Sequence, residues 1–90
     1  RKFGLMRKHY LKEYKSGIYQ GMVLSGNLKE HLLMVQEQAE SQFDVLVEQM
    51  AEREGVTEKL KEENQMLWVQ RMKNIRARAE EVVREWIFHI

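Results

Sequence analysis

Ninety residues, with 15 Lys and Arg against 14 Asp and Glu and a net charge of +1, suffice for one small domain with a thin core. The absence of cysteine excludes disulfides, thiolate nucleophiles and cysteine metal sites, and no apolar run is long enough to span a membrane, so a soluble, cytoplasmic setting is expected. With no proline and only five glycines, and 43% hydrophobic beside 32% charged residues, the chain is suited to amphipathic helices rather than to strands or disorder.

In chain order, the first predicted helix runs near residues 2–14. It carries Phe3, Met6, Tyr10 and Tyr14 as an apolar stripe that Ile18 extends. A weak break at Lys15-Ser16-Gly17 follows, with Ser16 as a cap for a short helix near 17–25. Gly26 can end that helix, and Asn27 with Glu30 resembles a capping box for a long helix near 27–54. Leu28, Leu32, Val35, Ala39, Phe43, Leu46 and Met50 recur along it at spacings of three or four, which is one apolar stripe. Glu54-Gly55-Val56-Thr57 is the clearest punctuation. Gly55 can take the left-handed conformation that ends a helix, Val56 can close back onto Ala51, and Thr57 suits the next N-cap.

A last helix near 57–88 carries Leu60, Leu67/Trp68, Met72, Ile75, Ala79, Val82, Trp86 and Ile90. Asn64 falls on this stripe, where it reads as a register-fixing amide or, preferably, a solvated position. A turn as short as Gly55 predicts an antiparallel pair, with Phe43 opposite Trp68, Ala39 opposite Met72, Val35 opposite Ile75 and Leu32 opposite Ala79. The overhanging Trp86, Ile87, Phe88 and Ile90 need cover, for which Met22, Val23 and Leu24 are nearest. The expected fold is therefore all-α: a basic helical segment over 1–26 and a long antiparallel hairpin over 27–90, within one domain. A hairpin seam is open on one side. Closure into a three- or four-helix bundle, and pairing into a dimer, both satisfy it.

Charge is segregated along the chain. Residues 1–15 carry six Lys or Arg against Glu13 alone, whereas residues 16–56 carry seven acids against Lys29 and Arg53. A second basic zone, Arg71, Lys73, Arg76 and Arg78, has no acid between Glu63 and Glu80. Cations interleaved with aromatic rings are what a nucleic-acid surface uses, the cations for phosphates and the rings for stacking. Arg7, Lys8, Lys12, Lys15, Arg71, Lys73, Arg76 and Arg78 are thus the candidate contacts to double-stranded DNA. The competing reading pairs the N-terminal cations with the acidic helix, within the chain or across a dimer.

Nothing in the sequence assembles an enzyme site. His9, His31 and His89 have no companion at metal-ligand spacing, and Asp44 has no Ser/His partner. Glu62-Glu63 and Glu80-Glu81 diverge around a helix, and no glycine-rich phosphate loop is present. The expectation is a non-enzymatic protein with no cofactor.

Five ordered blocks carry a resemblance over nearly the whole chain. They are Arg7-Lys8-His9-Tyr10-Leu11-Lys12-Glu13, Leu24-Ser25-Gly26, residues 48–57 (EQMAEREGVT), residues 64–72 (NQMLWVQRM) and Ile75-Arg76-Ala77-Arg78-Ala79-Glu80-Glu81. Together they resemble the TnpV family of proteins encoded on bacterial transposons and integrative elements. The resemblance implies a bacterial, mobile-element origin and suggests help in excision; the alternative expectation is a protein–protein adaptor docking on a transposon recombinase. It brings no catalytic residues. Family members usually carry a further N-terminal stretch, so a chain opening on Arg1 is expected to have residues upstream.

Overall fold

Two left-handed glycines and two non-glycine breaks divide the chain into five helices. The structure is a computed structural model that describes residues 1–90. It is all-α, with α1 over Lys2–Tyr14, α2 over Ser16–Ser25, α3 over Leu28–Arg53, α4 over Glu58–Glu63 and α5 over Gln65–His89. Gly26 at φ 79° and Gly55 at φ 71° lie where a side chain is disfavoured. Both close the same way. Val56 N–H reaches Ala51 O at 2.8 Å and Gly55 N–H reaches Glu52 O at 3.2 Å; Asn27 to Met22 and Gly26 to Val23 repeat the pattern at 3.1 and 3.2 Å. These are paired Schellman closures, and Val56 is buried as the motif requires.

The other two breaks are bends. Lys15 at φ −136° and ψ 49° donates to Leu11 O and accepts from Tyr19 N–H, both at 2.9 Å, so the ladder falters without reversing. Ser16 begins α2 but makes no capping bond. Asn64, at φ −152° and ψ 86°, splits the single helix expected over 57–88. Its side-chain oxygen accepts Leu67 N–H at 3.1 Å, supplying locally the bond that a continuous helix would take from the preceding turn. Asn64 is exposed, and it is a helix start rather than a register-fixing amide. Thr57 occupies the N-cap of α4 without a side-chain bond, and Asn27 Oδ1 accepts the Ser25 hydroxyl at 2.9 Å.

The chain forms two compact units, Arg1–Ser41 with Arg84–Ile90, and Gln42–Val83. In the first, Phe3, Leu11, Val35, Ala39 and Ile87 are buried. Burial of such a side chain contributes about 1.5–3 kcal/mol. The buried face of α1 is Phe3-Gly4-Arg7-Leu11, not the Met6-Tyr10-Tyr14 stripe read from the sequence. Gly4 brings the α1 backbone against α3: an added Cβ would lie 3.2 Å from Leu32 O, and its N–H donates to Gln36 Oε1 at 2.9 Å. Phe88 is covered by Tyr10, with ring centroids 4.8 Å apart and planes 13° apart. Cover from α2 is not what forms, since no residue of α2 is buried and Val23 and Leu24 are 50% and 88% exposed.

In the second unit Val56, Ile75, Ala79 and Val83 are buried. Val83 rather than Val82 continues the stripe, at a spacing of four from Ala79, and Val82 is left exposed. Phe43 and Trp68 are among the residues that line one cavity of about 360 Å³. Glu54 departs from the expected antiparallel register. It bonds Arg78, 24 residues on, where a single uninterrupted hairpin would leave Glu54 at the turn.

Candidate nucleic-acid interface

The eight cations read from the sequence meet three fates. Arg7 is consumed inside the first unit. It is 6% exposed, and its Nη1 donates to Ile87 O at 2.8 Å, its Nη2 to Ile90 O at 3.1 Å, and its Nε to His31 Nε2 at 3.2 Å. The two carbonyls belong to the end of α5 and its following residue, where helices leave acceptors unpaired and the dipole favours a cation. Burial pushes the guanidinium below the usual arginine range, with the nearby Tyr10 ring opposing. His31 is pushed down by burial first and by the Arg7 charge second, so it is neutral and accepts the Arg7 bond. As a phosphate contact Arg7 is therefore corrected: it is an internal cap.

Lys8, Lys12 and Lys15 stay at the surface. With Arg1 they share one face of α1 and its flanks, within roughly 60° at 100° per residue. Lys12 and Lys15 are exposed and Lys8 is half-buried. None of the three pairs with a carboxylate, so the acidic stretch of α3 does not neutralise them. Lys12 Nζ lies 5.6 Å from the centroid of the Tyr19 ring, beyond the Lys15 bend.

The cations of the second unit sit among acids. Arg78 donates from both terminal nitrogens to Glu54 at 2.7 Å, and from Nε to Asn74 Oδ1 at 2.8 Å. That bond holds the Glu54 carboxyl below the usual carboxylate range, with smaller help from the charges of Arg78, Arg71 and Arg53, and it raises the Arg78 guanidinium. Arg71 shares a surface hollow with Glu54, and Arg76 shares another with Asp44, Glu48 and Glu58. Lys73 is exposed. Helical spacing along α5 made these residues look like one basic ridge. Interleaving with acids from α3 and α4 could not be seen in that spacing.

No group of three or more His, Asp or Glu side chains is placed to hold a metal ion. His9 is exposed, and His89 Nδ1 lies 2.9 Å from Glu85 O, one turn back. No helix is long and apolar enough to cross a membrane.

The class that these features define is a small all-helical protein with one unneutralised cationic helix face. The model of the family described as transposon-encoded protein TnpV matches residues 1–87. The chain belongs to that family, as the ordered sequence blocks imply. No curated protein and no solved structure matches it.

Proposed function

We propose that the chain is a non-enzymatic accessory protein of a bacterial transposon, acting in the cytoplasm, that binds duplex DNA through the cationic face of α1 and assists excision or recombination. The observation that carries this reading is that Lys8, Lys12 and Lys15 make no ion pair with a carboxylate. Cations aligned on one helix face neutralise successive phosphates and release counterions, which favours binding with little sequence readout. The second unit contributes less, because Arg71, Arg76 and Arg78 are set among carboxylates.

The test is binding of random duplex across a salt series, comparing the parent with Lys12→Glu/Lys15→Glu and Arg71→Glu/Arg76→Glu. The first double variant is expected to weaken binding strongly and to reduce the slope of log affinity against log salt by about 2. The second is expected to change both much less. No binding by the folded parent at low salt would end the DNA reading.

A second reading is a protein–protein adaptor, dimeric or docked on the transposon recombinase. It is favoured by α2, which carries no charged residue yet leaves Ile18, Val23 and Leu24 half or more exposed. Apolar surface of this kind marks interaction sites.

A further inference from the structure

The first unit holds a surface groove of about 400 Å³ that shares Arg1 and Lys8 with the cationic face of α1 but extends onto apolar surface that the DNA reading does not use. Its floor is apolar, built from Leu5, Leu32 and Leu33, and its rim is cationic, formed by Arg1, Lys8 and Lys29 without a carboxylate. Leu5 and Leu33 are 52% and 48% exposed, a large apolar surface for two neighbouring positions. The polar groups at its base are already satisfied. Gly4 N–H donates to Gln36 Oε1 at 2.9 Å, and Gln36 Nε2 donates to Glu40 at 3.0 Å. An occupant therefore finds apolar contact below and positive charge at the edges, with no unpaired donor or acceptor between them. DNA bases are poorly served by such a floor, because their edges need hydrogen-bond partners.

From this combination we infer that the groove docks an amphipathic helix of a partner protein, with aliphatic side chains seated on Leu5, Leu32 and Leu33 and flanking Glu or Asp facing Arg1, Lys8 and Lys29. Charge complementarity selects the partner: a helix with basic flanks meets three like charges, whereas an acidic one meets none. The volume is in the range of sites that take up a few apolar side chains. Helix-in-groove recognition places such anchors three and four residues apart.

The experiment uses the whole chain and a synthetic helical peptide of about 18 residues, leucine on one face and glutamate on its flanks, beside a copy with lysine for glutamate. Binding is read by calorimetry and by amide chemical-shift mapping. The acidic peptide is expected to bind at least roughly tenfold tighter than the basic one, with the largest shifts at Leu5, Lys29 and Leu33. Leu33→Glu and Lys29→Glu should each weaken it by about tenfold or more while leaving circular dichroism unchanged. Should either variant fail to fold, the shift map on the parent decides. Equal affinity for the two peptides, or shifts centred outside the groove, would overturn the proposal. So would a dimer in sedimentation that Leu33→Glu makes monomeric, since the groove would then belong to a second copy. Lys12→Glu/Lys15→Glu, which lies off the groove, should leave peptide binding intact, so this result stands or falls apart from DNA binding.

Discussion

Arg7 in the first unit and Arg78 in the second show two ways to place a guanidinium on a helix. Arg7 is buried, and its partners are the main-chain oxygens of Ile87 and Ile90 and a neutral imidazole. Arg78 is about 41% exposed along its side chain and takes a carboxylate in fork geometry. The more conspicuous ion pair contributes less. An exposed pair gains little over its hydrated ions and is screened by salt, whereas a buried guanidinium whose removal leaves the buried Ile87 carbonyl unpaired is costly to lose. What distinguishes the two arginines is desolvation.

The largest effect should come from Arg7→Ala, which leaves the buried Ile87 carbonyl unpaired and removes the packing of the stem. A loss of about 3 kcal/mol is expected, or a fall of about 15 °C in Tm for a domain of this size. Thermal unfolding beside Arg78→Ala checks it; equal losses would break the contrast between the two sites.

A smaller effect is the pH dependence of the first unit. Folded His31 has its pKa below the ordinary 6.5. Above that value His31 is neutral in both states and its contribution is complete. As pH falls through 6.5 the unfolded chain takes up the proton first. Stability is therefore lost from that point down to the folded pKa. Between about pH 8 and about pH 5 the parent should lose Tm that His31→Gln retains. Parallel curves would mean that the imidazole does not titrate differently on folding.

The smallest effect should be that of Glu54→Gln. The Glu54 carboxyl, held below its ordinary 4.5, contributes above that value and loses its contribution as pH falls beneath it. At neutral pH the change in Tm should be slight and should vanish at about 1 M salt. A large, salt-resistant loss would place Arg78 beside Arg7 after all.

The same contrast explains what could be read in advance. The α3 stripe was legible because every member is apolar, and all seven residues are buried or half-buried. Gly55 and Val56 were legible because a left-handed closure has its own residue signature. The α1 core face was not, because Arg7 stands in it and a charged residue breaks any apolar pattern. Val83 lost to Val82 in the sequence because both are valines and only the packed phase of the helix chooses between them. Asn64 was read as solvated, and it is exposed, but the helix break it makes was not legible, since its side chain competes with the helix ladder over three residues while the apolar spacing continues on either side. At the candidate interface, Lys8, Lys12 and Lys15 were read from the segregation of charge along the chain, and they lie at the surface. The neutralisation of Arg78 was hidden because Glu54 lies in the turn after α3, 24 residues away.

The Arg7 fork also bears on the order in which the protein comes into being. It joins residue 7 to residues 87 and 90, and the first unit as a whole is drawn from both ends of the chain. Gln42–Val83 is continuous and closes over local contacts, whereas the first unit must bring together segments separated by the whole of the second. Until that longer closure is made, Arg7 is without the oxygens of Ile87 and Ile90.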